Sequence, residues 1–101
     1  MREADFQARV TSLCDWLRLR WHHETDSRRS KAGFPDLVIV GNRVIFAELK
    51  TETGRLRVEQ AEWVNRLRLA GAEVHIWRPS DWPEIEQRLK ALAHNVERIT
   101  S

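Results

Sequence analysis

The sequence predicts an α/β fold, a small mixed sheet flanked by helices, in the order helix, strand, strand, strand, helix, strand, helix. Three observations carry this. Segments with apolar residues at helical spacing alternate with short runs rich in β-branched residues. Two such runs, 36–40 and 43–50, are separated only by Gly41 and Asn42, the pattern of an antiparallel hairpin. From Arg43 to Trp77 the chain then reads strand, helix, strand, and a crossover of about twenty residues is long enough for a right-handed parallel connection.

The first helix is predicted over residues 3–20, with Phe6, Val10, Leu13 and Leu17 as its buried stripe and no Gly or Pro to interrupt it. Residues 21–25 read as a short strand that includes His22 and His23. The polar, basic stretch 26–33, closed by Gly33, reads as a loop. The second helix spans residues 57–70, with Trp63, Val64, Leu67 and Ala70 recurring, and Gly71 stands where a left-handed cap ends it. Val74 and Ile76 alternate with Glu73 and His75 in a strand over 72–77. Asp81 is predicted to cap the last helix, with Glu84 completing a capping box and Pro83 in the first turn; Ile85, Leu89, Leu92 and Val96 form its inner stripe.

A chain of 101 residues supports one domain, residues 1–101, and one core. Its 42% hydrophobic content is enough to fold, and no apolar run approaches the roughly 18 residues of a membrane span. The expectation is a soluble protein made in the cytosol, without membrane partners. One cysteine, Cys14, excludes an internal disulfide and a multi-cysteine zinc site, and it reads as a core thiol. Of 17 basic residues 14 are arginine, whose planar fork grips phosphate, so the composition suits a phosphate-bearing partner as well as it suits a solvated surface. Trp16, Trp63, Trp77 and Trp82 read as core or dimer-contact residues, since five tryptophans cannot all be buried in so short a chain.

Ionisable groups interrupt the apolar strands. Asp36 follows Pro35 and opens one strand, while Glu48 and Lys50, two residues apart, share a face of the next. Paired carboxylates repel unless a cation lies between them, and hard oxygen ligands suit Mg2+ or Mn2+. A lysine beside them is able to orient or help deprotonate a water, or to offset charge on a phosphate. The plain alternative is a Glu-Lys pair on a solvated strand and an Asp in a turn.

Pro-Asp, eleven intervening residues and then Glu-X-Lys, placed on a hairpin within this element order, resembles the signature of the PD-(D/E)XK nuclease superfamily. Gly33-Phe34-Pro35-Asp36-Leu37, Phe46-Ala47-Glu48-Leu49-Lys50, Glu59-Gln60-Ala61-Glu62-Trp63 and Ala70-Gly71-Ala72 look like the VRR-NUC family within it. The resemblance implies a restriction-endonuclease-like αβββαβ core plus a C-terminal helix. It also implies a Mg2+-dependent DNA endonuclease of the stand-alone bacterial or phage type, similar to Holliday-junction resolvases and working in the bacterial or infected-cell cytoplasm. Asp36 and Glu48 would be metal ligands, the Leu49 carbonyl a further one, Lys50 the catalytic lysine and Gln60 a support for the site. An amide on the inward stripe of a helix needs a partner; a first-turn residue still reached by water is the plain reading of Gln60.

The family also carries an acidic residue on its first helix, and Glu3 and Asp5 compete for that place. At about 100° per residue, Glu3 lies about 45° from the centre of the apolar stripe and Asp5 more than about 100° away, so Glu3 is expected to face the sheet, as a catalytic residue and metal ligand. The simpler reading of Glu3 is a favourable charge at a helix start. Arg28, Arg29 and Lys31 precede Pro35 and Asp36 and are assigned to DNA contact. Arg55, Arg57, Arg66 and Arg68, around the middle helix, read as solubility charges. One site per chain implies a homodimer if two strands of a DNA junction are cut symmetrically.

Strand parity makes a geometric demand. A two-residue loop would pair Val40 with Arg43 and put Asp36 and Glu48 on opposite faces. A three-residue loop of Gly41, Asn42 and Arg43, with Asn42 able to adopt positive φ, pairs Val40 with Val44 and brings the two carboxylates onto one face with Val38, Val40, Val44 and Phe46. The sequence predicts this register, or a bulge that restores it. Two other classes remain: a nucleic-acid-binding module that keeps the fold without cleavage, and an interaction domain indifferent to metal.

Overall fold

In the computed structural model, residues 1–24 and 32–96 are described. They form α1 (Glu3–Trp16), β1 (Arg20–His23), β2 (Leu37–Val40), β3 (Val44–Leu49), α2 (Val58–Leu69), β4 (Glu73–Trp77), a 3₁₀ turn (Pro79–Asp81) and α3 (Trp82–Leu92). The sheet order is β1-β2-β3-β4, with β2 antiparallel to both β1 and β3 and β4 parallel to β3. This is the mixed sheet and element order that the periodicity predicts. Among the described residues no helix is long and apolar enough to cross a membrane.

Alternation along the strands divides the sheet into two faces. Leu37, Ile39, Ile45, Ala47 and Leu49 point to one of them and are fully buried. There they meet Phe6, Val10 and Cys14 of α1, Ile85, Leu89 and Leu92 of α3, and Trp77 of β4. Burying each large aliphatic side chain contributes about 1.5–3 kcal/mol, so this layer is the main source of stability. Cys14 is one of its members, and burial pushes its thiol up to about 12, which leaves it inert as expected. Val64 of α2 and Val74 of β4 are buried on the opposite face, and α2 lies over that side.

Several local expectations need correction. α1 stops at Trp16, four residues early, because Arg18 takes a left-handed conformation with φ 61°. Arg18 N–H then bonds Asp15 O at 3.0 Å and Leu19 N–H bonds Cys14 O at 2.8 Å, the paired closure that usually has glycine at its centre. The buried stripe is Phe6, Val10, Thr11 and Cys14, with Leu13 and Leu17 packed at its margin. Thr11 fits there because its hydroxyl donates to Gln7 O and Ala8 O. Gly71, by contrast, ends α2 in the left-handed state predicted for it, with φ 91°.

Asp81 does not cap α3 with its side chain. Its Oδ2 accepts the Arg78 N–H at 2.9 Å instead and closes the preceding 3₁₀ turn. Nor is Asn42 at positive φ. It binds the end of α3: its N–H goes to Leu92 O at 2.9 Å, and its amide donates to Ala91 O at 2.9 Å and His94 O at 3.3 Å. Gly41 allows that approach, since a Cβ there would fall onto the Leu92 carbonyl and within 2.6 Å of Leu19 Cδ2. Of the tryptophans, Trp77 alone belongs to the core; Trp16 is 82% exposed, and Trp82 packs at the margin beneath Arg9, 3.8 Å from its ring centroid.

Candidate active site

The hairpin has the three-residue loop that parity demands. Val40 pairs with Val44, Val38 with Phe46 and Leu37 with Ala47, and one further step sets Asp36 opposite Glu48 on the face covered by α2. No bulge is needed. Beyond Asp36 the ladder stops, and Pro35 has no N–H with which to extend it. The Leu49 N–H goes to the Asp36 side chain, donating to Oδ2 at 2.8 Å. The Pro-Asp pair thus ends the ladder and anchors the Asp36 carboxylate.

Gly33 brings this segment against α2. Its φ is 96°, and a Cβ would lie 2.6 Å from Glu59 O and 2.8 Å from Gln60 N. Next to it the Phe34 ring meets Phe46 and Trp63 edge-on, at centroid distances of 5.9 and 5.0 Å, and the Trp63 indole donates to Ala32 O at 3.1 Å.

Glu48 is 0% exposed. Its Oε1 accepts a hydrogen bond from Gln60 Nε2 at 3.4 Å, and its Oε2 is buried with no donor. Burial, then the adjacent Asp36 carboxyl, push the Glu48 acid up to about 9; Lys50 pulls it down and Glu3 adds a smaller upward push. Lys50 is buried on the same face, its N–H bonded to Trp77 O at 2.9 Å. Gln60 is held at its other end, where Oε1 accepts the Arg57 N–H at 2.8 Å. An unpartnered buried carboxylate oxygen beside a second carboxylate is a misfit in an apolar protein interior, and it fits a hard divalent cation, which takes one or two carboxylates and fills its shell with water and substrate oxygens. Among the described residues no group of three or more His, Cys, Asp or Glu lies close enough to hold a metal, so a cation here would rest on the Asp36–Glu48 pair with non-side-chain oxygens.

A family model for the VRR-NUC domain matches residues 4–81 of this sequence. The chain belongs to the VRR-NUC family. That makes it a domain of nuclease type. Two solved structures share its fold: a VRR-NUC domain protein at 18% identity, with a TM-score of 0.68 over 91% of this chain and 90% of the other, and a VRR-NUC domain at 22% identity, with a TM-score of 0.66 over 89% and 91%. No match is found among curated proteins.

In this VRR-NUC domain Asp36, Glu48, Lys50 and Gln60 lie together on one face, and Leu49 adjoins them through its backbone N–H bond to Asp36. Glu3 is exposed at the start of α1, and the revised stripe through Phe6, Val10 and Cys14 leaves it on the sheet-facing line of the helix. It reaches Glu48 through space, whereas Asp5 is engaged outside by Arg2 at 3.3 Å. Arg28, Arg29 and Lys31 lie outside the described residues. His22 and His23 are strand residues of β1. Two residues at the VRR-NUC site went unnoticed in the sequence. Glu24 donates its N–H to Asp36 O at 3.1 Å, which continues the β1/β2 register and puts it on the Asp36 face; the β1 register would have revealed it. Arg78, at the end of β4, binds the loop that follows Lys50 and leaves no local signal in sequence.

Proposed function

We propose that this VRR-NUC domain is a Mg2+-dependent, structure-selective DNA endonuclease that hydrolyses phosphodiester bonds at branched DNA such as four-way junctions. The observation that carries the reading is the buried Glu48 carboxylate, with one oxygen lacking any donor, set against Asp36. Asp36, Glu48 and the Leu49 carbonyl would hold the cation, with Mn2+ able to substitute, and Glu3 would act on it from the first helix through a water of its shell. When bound, the cation supplies Lewis acidity and a template for an attacking water. Lys50 orients that water and offsets negative charge building on the phosphate. Gln60 holds the Glu48 carboxylate in orientation. Arg28, Arg29 and Lys31 precede Pro35 and Asp36 in sequence and serve as phosphate contacts. Two copies related by a twofold axis would present two sites, one for each strand cut at a junction.

The test is incubation with Mg2+ and linear, nicked, flap and four-way-junction DNAs at one salt concentration, with Asp36→Ala as control. Cleavage of branched DNA by the wild type, lost in Asp36→Ala, is the expected outcome. DNA binding without cleavage in either Mg2+ or Mn2+ would instead identify a non-catalytic nucleic-acid-binding module.

A further inference from the structure

The four arginines around α2 are not equivalent. Arg66 pairs with Glu62 at 3.3 Å, and the Arg68 guanidinium donates to Val74 O at 2.9 and 3.3 Å. Arg55 and Arg57 are exposed, and among the described residues neither has an ion-pair partner. Both lie on segment 51–57, whose ends abut the site. It leaves Lys50 at one end, and at the other the Arg57 N–H holds the amide of Gln60, which in turn reaches Glu48.

That segment is fastened from outside the site. The Arg78 guanidinium donates to the carbonyls of Thr51, Glu52 and Gly54, the last at 2.7 Å and immediately before Arg55. The Glu52 carboxylate accepts from the Ser80 N–H and, at 2.9 Å, from its hydroxyl, so its negative charge is turned toward the 3₁₀ turn. Gly54 N–H closes on Thr51 Oγ1 at 3.0 Å. Carbonyls of a surface loop are ordinarily served by water; here one arginine gathers three of them and holds the backbone that presents the two unpaired arginines.

We propose that segment 51–57 is a preformed contact for the DNA backbone, with Arg55 and Arg57 as phosphate ligands and Arg78 as the positioning residue that fixes them. It rests on the reading of the domain as a DNA nuclease and adds the track along which phosphates flanking the cut are held. Arginine forks bind phosphate in two places, and a backbone ordered beforehand removes an ordering cost from binding.

The test is DNA binding by the full chain over a salt series in metal-free buffer, where no cleavage intervenes. Arg55→Ala with Arg57→Ala is expected to weaken binding at least tenfold and to lower the slope of log affinity against log salt by about two, roughly one for each lost phosphate contact. Arg66→Ala leaves both unchanged. Arg78→Gln weakens binding with the slope intact; with Mg2+ present its KM rises and kcat does not fall. All three carbonyls are served by the single nitrogen Nη1, so Arg78→Lys, whose ammonium carries three donors on one nitrogen, is expected to recover most of the wild-type affinity. Wild type that binds no DNA would overturn the nuclease reading itself. Wild type that binds, with the slope unmoved in the double variant, would overturn the phosphate track, and a slope lowered by about one in Arg78→Gln would make Arg78 a phosphate ligand rather than a positioning residue.

Discussion

Gln60 donates to Glu48 Oε1 across 3.4 Å while its own carbonyl oxygen accepts the Arg57 N–H at 2.8 Å, so one side chain both closes the start of α2 and faces the buried carboxylate. The second bond fixes the amide: with its oxygen taken by an N–H, its nitrogen must point to Glu48. Gln60→Leu keeps the volume and removes both bonds. It is expected to lower stability by about 1–2 kcal/mol and to slow cleavage, read by thermal melting and single-turnover rates. A wild-type rate in this variant would take Gln60 out of the site.

Lys50 separates chemistry from affinity. It is buried beside Glu48 and is not part of the exposed basic surface. Lys50→Ala should therefore cut DNA at least about tenfold more slowly while its binding constant changes little, as measured by rate and equilibrium titration on one substrate. Equal rates would show that its ammonium takes no part in the reaction.

On the far face of the sheet, Glu73 joins β4 to α3 through a two-pronged bond with Arg88, at 2.6 and 2.8 Å, aided by His75 at 2.6 Å. The Arg88 bonds, with His75, hold its carboxyl down at about 2, below its ordinary value of 4.5. A depressed carboxylate stabilises the fold fully above its unfolded pKa and loses that contribution as pH falls from about 4.5 toward 2. Arg88→Met should be less stable than wild type by about 1–2 kcal/mol at pH 7, with the difference shrinking as pH approaches 2 in denaturant titrations. A difference constant with pH would mean that Arg88 acts by packing alone.

What was legible in the sequence followed from periodicity and parity. Two carboxylates that must share a face across one hairpin require an odd loop, and Val40 indeed pairs with Val44. Gly71 announced the end of α2 because only glycine sits easily at positive φ. The end of α1 was hidden for the same reason, since Arg18 takes that conformation without glycine's signature. Asp81 looked like a helix cap, but the N–H of Arg78 competes for the same oxygen. Gln60 was recognisable as an inward amide, though nothing in its own helix names Glu48 as its partner. The Arg78 bonds to Thr51, Glu52 and Gly54 join residues 24 to 27 positions apart, beyond the reach of any local pattern.

The central claim is that the Asp36–Glu48 pair is shaped for a cation, and the melting temperature in millimolar Mn2+ tests it most directly. Without metal, ionising Glu48 in place is costly, so Glu48→Gln should melt above wild type at neutral pH. With metal, wild type should rise by several degrees through preferential binding to the folded state, and Glu48→Gln should not move. A wild-type melting temperature unchanged by Mn2+, or an equal rise in Glu48→Gln, would contradict the account.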